Sequence, residues 1–140
     1  MSNQQTVQDI YAAFGRGDIP AILERLADDV RWDHLPDGGG AQRNDVPWLR
    51  ERTGRDEVGG FFEALGGLEI HELAPTGFFE AGDTVVVLLD EDATVRATGE
   101  RFRDRTAHVW TFASDGRVVE FRHIADTVKH VEAYAARAMA

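Results

Sequence analysis

The apolar positions of the chain fall first into helical stripes and then into strands. Val7, Ile10, Tyr11 and Phe14 recur at i, i+3, i+4 and i+7, which predicts a helix over 5–15 that Gly15 and Gly17 stop. Asp18 is placed to cap a second helix over 18–27, with Pro20 in its first turn and Ile22, Leu23 and Leu26 on its apolar face. Val30 to His34 alternates like a strand. Residues 35–53 carry Pro36, three consecutive glycines from Gly38, and Pro47, and read as a long loop of the kind that covers a site, with Trp48 and Leu49 as apolar anchors. Val58, Phe61, Phe62 and Leu65 then define a third helix over 55–66, which Gly66-Gly67 ends.

From there the period changes from helical to β. Leu68 to Phe79 is strand-prone but contains Pro75 and Gly77, which predicts a bend or bulge. Gly82-Asp83 makes a turn into the β-prone run from Thr84 to Leu89. Arg103 to Phe112 and Arg117 to Ala125 flank Ser114-Asp115-Gly116, a hairpin signal. Asp126 or Thr127 caps a last helix bearing Val128, Val131 and Ala135. The order ααβαββββα, helices first and an antiparallel sheet afterwards, is an α+β pattern.

Composition narrows the possible roles. The 140 residues fit one domain spanning 1–140. The absence of cysteine excludes disulfides and thiolate chemistry and agrees with a reducing compartment. With no basic stretch followed by an apolar run near Met1, a cytoplasmic location is expected. The net charge of −10 is the opposite of what a nucleic-acid partner requires. The longest apolar stretch, Val85 to Leu89, is too short to span a bilayer. That run is apolar on both parities, so both faces should be covered, and a homodimer through the outer sheet face is expected.

Strand parity also locates candidate chemistry. His108 shares a face with Trp110 and Phe112, His123 with Phe121, and His34 with Val30 and Trp32, so three histidines from three strands are expected to point into one interior. A histidine in an apolar cavity is held neutral by desolvation, and a neutral imidazole can accept a proton at one nitrogen and donate one at the other. Asp33 faces outward in a regular strand unless a bulge turns it in. His71 and His130 read as surface residues, and Asp126 as a helix cap. The histidines lack any HxH or HxxxH pair and the glycines form no GxGxxG or phosphate-binding pattern, so no metal and no cofactor are expected.

Several strings carry a family resemblance: Ile10-Tyr11-Ala12-Ala13-Phe14 with Gly17-Asp18; Leu26-Ala27-Asp28-Asp29-Val30-Arg31-Trp32; Gly54-Arg55-Asp56-Glu57-Val58 with Phe61-Phe62; Gly82-Asp83-Thr84-Val85-Val86-Val87; and His108-Val109-Trp110-Thr111-Phe112 followed by Asp115-Gly116-Arg117-Val118-Val119. In order and spacing they resemble the SnoaL-like and ketosteroid-isomerase-like branch of the nuclear-transport-factor-2-like superfamily. The resemblance implies a cone-shaped curved sheet closed by helices over an apolar pocket, and relatives that dimerise through the sheet. It places His34 where the isomerases carry their base, His108 where they carry the acid that bonds the substrate oxygen, and Ile10 where they carry a tyrosine, with Tyr11 next to it. The chain departs from the isomerase pattern at all three positions. The superfamily holds isomerases, cyclases, dehydratases and non-catalytic binding domains.

The expectation is therefore a cofactor-independent enzyme of isomerase, cyclase or dehydratase type, acting by general acid–base chemistry on a small hydrophobic or polyketide-like ligand. His108 and His34 are the expected proton-transfer pair, assisted by His123 or Asp33, with Tyr11, Trp32, Phe62, Trp110 and Phe121 shaping the pocket. The alternative is a non-catalytic ligand-binding or dimerisation domain.

Overall fold

The first helix begins where the Ser2 hydroxyl accepts from the backbone N–H of Gln5, 3.0 Å away, and it runs as α1 (Asn3–Gly15) with Val7, Ile10 and Ala13 buried. The computed structural model of the chain describes residues 2–135. Asp18 caps α2 (Ile19–Leu23) as expected, yet the helix has five residues rather than the ten expected over 18–27. The chain leaves it for β1 (Leu26–Trp32), in which Leu26, Val30 and Trp32 are buried. So short a helix is marginal alone, and the ladder that Leu26 and Trp32 form with a later strand outweighs it.

The 35–53 segment is an ordered cover rather than an open loop. It contains 3-10 turns at Pro36–Gly38 and Pro47–Leu49, a short helix α3 (Ala41–Asn44) and a two-residue strand β2 (Arg52–Thr53). Val46, Trp48 and Leu49 hold it against the core. The glycine-capped helix α4 (Arg55–Leu65) follows, burying Val58 and Phe61. Four strands complete the sheet: β3 (Leu68–Ala81), β4 (Thr84–Val95), β5 (Arg101–Phe112) and β6 (Val118–Ile124).

The sheet order is β2-β1-β6-β5-β4-β3. Its ladders are antiparallel except for β1, which runs parallel to β6. The register of β3 on β4 shifts between Pro75 and Gly77, at the break expected there, and again between Ile70 and Glu72. Such irregularities increase twist and let a long pair curl. The helices pack into the resulting hollow. Strand β4 continues six residues beyond Leu89 because its charged stretch is paired: Asp92 accepts from Arg101 at 2.8 and 2.6 Å and from Arg103 at 3.2 Å across the ladder.

The last helix, α5 (Thr127–Ala135), turns a different face inward from the one expected. Val128 is 60% exposed, whereas His130 is fully buried with Ala133 beside it. The stripe through 130, 133 and 134 prevails because it meets partners there. The Trp48 indole N–H donates to His130 Nδ1 at 3.0 Å, and the Phe102 ring lies 4.3 Å from the imidazole. Among the described residues, no helix is long and apolar enough to cross a membrane.

Asp33 fixes how β1 leaves the sheet. Its φ of 58° is left-handed, an uncommon conformation that Asp tolerates better than most residues. The turn aims the carboxylate inward rather than outward: Oδ1 accepts the His123 backbone N–H at 2.6 Å, and Oδ2 lies 3.7 Å from a guanidinium nitrogen of the buried Arg43. Arg43 in turn donates to the Leu49 carbonyl. One carboxylate thus joins β1, β6 and the 35–53 cover. Asp33→Ala is expected to cost about 3 kcal/mol or more, because it strands both the N–H and the guanidinium. Asp33→Asn keeps an acceptor and tolerates the left-handed turn, so it should cost less than half as much. Urea denaturation of both variants checks the order.

Candidate active site

The curled sheet and the helices enclose a cavity of about 80 Å³. That is several times the space one water requires. Strands β5 and β6 build its floor by direct cross-strand pairing, Trp110 opposite Phe121 and His108 opposite His123. Trp32 on β1 stacks on Phe121 with ring centres 4.1 Å apart, and Trp110 meets Phe121 at 4.6 Å. Tyr11 on α1 and Phe62 on α4 close the top, so all five residues expected to shape the pocket line it.

His108 is the best-supported polar group in the wall. The Tyr11 ring stacks parallel to it at 5.9 Å, and the Tyr11 hydroxyl oxygen sits 2.6 Å from His108 Nδ1. The Trp110 indole N–H donates to the same hydroxyl at 3.1 Å. A contact of 2.6 Å matches an O–H donor better than an imidazole N–H. Tyr11 therefore donates to Nδ1, and the neutral ring of His108 carries its proton on Nε2. Burial pushes the His108 pKa down to about 3 and pushes the Tyr11 phenol above its ordinary range, so both stay uncharged near neutrality.

His123 faces His108 with ring centres 5.1 Å apart. Burial lowers its pKa well below the ordinary value, reinforced by His108, His130 and Arg43. Its Nε2 is fully enclosed and has no hydrogen-bond partner among the described residues. Buried polar atoms are rarely left so, and this one faces the cavity.

Two expected members of the site stand elsewhere. His34 does not turn inward, because the chain leaves strand geometry at Asp33. Its Nε2 instead lies 2.9 Å from both the Arg52 carbonyl and Thr53 Oγ1 at the sheet edge. Asp33 is buried, and burial raises its carboxyl to about 6 against the opposing His123 N–H and Arg43. It sits behind His123, outside the cavity wall. His71 is exposed and bonded to Thr94, as expected, whereas His130, expected in solvent, is buried. Asp126, expected as a helix cap, is exposed; its backbone N–H donates to Asp104 at 2.9 Å.

The structure also supplies a residue not foreseen. Glu91 on β4 lines the cavity and is the charged side chain of its wall. Its Oε2 is 3.9 Å from His123 Nε2, and its Oε1 is 3.8 Å from His130 Nε2. Burial, with Asp104 directly opposite on β5, raises the Glu91 pKa to about 7. The parity that buries Val85, Val87 and Leu89 would have reached Glu91 had the strand been carried past Leu89. Among the described residues, no group of three or more His, Cys, Asp or Glu side chains is arranged to hold a metal ion.

A curled sheet closed by helices over a mostly apolar cavity, with neutral imidazoles in its floor, defines the cone-shaped α+β class. Residues 7–121 match the family described as the SnoaL-like domain, and the chain belongs to that family, within the nuclear-transport-factor-2-like superfamily. No curated protein matches it. Among solved structures it is similar to an NTF2-like protein of unknown function from Burkholderia pseudomallei, at 35% identity over 95% of this chain and 98% of that one, with a TM-score of 0.79. An NTF2-like protein from Burkholderia thailandensis is 29% identical over 96% and 98% of the two chains, with a TM-score of 0.80. TerC, co-crystallized with polyporic acid, is 29% identical over 94% and 96%, with a TM-score of 0.74.

Glu91 gives a pH signature. The folded state disfavours its ionised form, so its stabilising contribution is complete below the ordinary value of 4.5 and is lost as pH rises through about 7. Glu91→Gln removes that loss. Relative to the unsubstituted protein, the variant should gain on the order of 3 kcal/mol between pH 4 and pH 8. The buried histidines lose stability in the opposite direction, as pH falls below 6.5, but they are common to both proteins. Urea midpoints across this range measure the difference.

Proposed function

We propose that the cavity binds a small, largely apolar organic molecule and moves a proton next to its carbonyl group. The observation that carries this reading is the pair of neutral imidazoles, His108 and His123, facing one cavity with ring centres 5.1 Å apart. His108 is held by Tyr11 with its N–H on Nε2, suited to donate to a carbonyl oxygen as negative charge develops there. His123 offers its enclosed Nε2 to take up the proton that the ligand releases. Such steps underlie isomerase, cyclase and dehydratase reactions and need no cofactor. The co-crystallization of TerC with polyporic acid supports small-molecule binding in a relative.

The reading extends to assembly. Phe79, Leu88 and Ile124 are 58%, 43% and 49% exposed on the sheet, an apolar surface that a second copy would cover. Light scattering at micromolar concentration is expected to give a homodimer, and a monomer would remove this part.

Catalysis can be tested without the natural substrate. In D2O, the protein should accelerate α-hydrogen exchange of cyclohexanone beyond an equal concentration of free imidazole, followed by proton NMR. His108→Phe keeps the ring volume and should lower this rate on the order of 100-fold. His71→Gln, on the exposed side of the sheet, should leave it unchanged. Bound ketone with no exchange would instead mark a binding domain.

A further inference from the structure

We propose that Glu91 and His123 form a hydroxyl-recognition subsite at one end of the cavity, so that the ligand is a neutral molecule carrying a hydroxyl group rather than a carboxylate. This deepens the cavity reading above and rests on it.

Three buried polar atoms around the cavity have unmet hydrogen bonds. Glu91 Oε1, His123 Nε2 and His130 Nε2 are all enclosed, and none has a hydrogen-bond partner among the described residues. Glu91 and His123 are about nine-tenths buried as side chains, and both line the cavity. Their nearest polar atoms, Oε2 and Nε2, are 3.9 Å apart. That is too far for a direct hydrogen bond and suits one oxygen placed between them at about 2.8 Å from each.

The kind of oxygen follows from donors and acceptors. A hydroxyl brings one donor and two acceptor sites. It can bridge a carboxyl group and an imidazole nitrogen whichever of the two holds the proton. A carbonyl or a carboxylate offers acceptors alone, so it leaves one side unmet when one of the two groups holds the proton and both sides unmet when neither does. Charge points the same way. Among the described residues no Lys or Arg lines the cavity, so a ligand carboxylate would face Glu91 with no counter-ion among them.

His130 holds the subsite from behind. The Trp48 N–H occupies its Nδ1, which places the proton of the neutral ring on Nε2. That N–H lies 3.8 Å from Glu91 Oε1 and 3.8 Å from Asp104 Oδ2, between two carboxyl groups that oppose each other across the β4–β5 ladder. It lies between the two like-charged groups and offsets their mutual repulsion at a distance beyond a hydrogen bond. His130 is thus a positioning residue, tied through Trp48 to the 35–53 cover.

Four one-ring probes test the proposal: phenol, toluene, benzoate and benzylamine, each titrated at pH 7.5 by calorimetry. The expected order is phenol at least tenfold tighter than toluene and at least tenfold tighter than benzoate. An apolar cavity alone reverses the phenol–toluene order, because an unpaired hydroxyl is costly to bury. Glu91→Leu should make toluene the tighter of the two. If that variant does not fold, the order in the unsubstituted protein decides, together with the His123 ring signals, which phenol should shift and toluene should not. Toluene binding as well as phenol, or benzylamine or benzoate binding more tightly than phenol, overturns the subsite and leaves the cavity reading standing. If none of the four binds, the cavity reading fails and the subsite fails with it.

Discussion

Burial of His108 and His123 side by side is the constraint on which the remaining features of the cavity depend. An imidazole withdrawn from water loses much of its affinity for a proton, and two adjacent ones oppose each other's charge. Both rings are therefore neutral near pH 7, with the His108 pKa near 3. A neutral ring needs its tautomer set from outside. Tyr11 supplies that for His108 from a helix near the start of the chain, with Trp110 holding the phenol in place. The aromatic wall thus provides dry surroundings, and it fixes which nitrogen presents a proton.

The same desolvation acts in the opposite sense on acids. It raises Glu91 to about 7 and Asp33 to about 6. Their environments differ in one respect. Asp33 is stitched into the backbone of β6 and lies close to Arg43, a structural use of a buried charge. Glu91 faces the cavity, which among the described residues no Lys or Arg lines, so its environment suits proton exchange or ligand contact.

The fold was largely legible because its signals are periodic and local. The cap at Asp18 and the Pro75–Gly77 break fall where the sequence predicts them. What escaped depends on pairing between distant residues. Asp90-Glu91-Asp92 resembles a strand end until Arg101 and Arg103 are seen to neutralise Asp92 across the ladder. His130 looks like a surface histidine on a helix with an alternative apolar stripe, and the distant Trp48 and Phe102 show which face turns in. The rings of the cavity floor were recoverable from parity, since β5 and β6 keep regular alternation. His34 was not, because a single left-handed residue before it ends the alternation.

The contact between Trp48 and His130 bears on how the domain is made. Both belong to segments that flank the sheet, yet the second follows every strand in the chain. During synthesis, residues 2–65 emerge with most of the apolar wall already present and no sheet to cover it. The floor of β5 and β6 comes late, and α5 later still. A nascent chain therefore carries exposed Trp32, Trp48 and Phe61 for most of its elongation, a stretch in which holding chaperones have an obvious surface to grip.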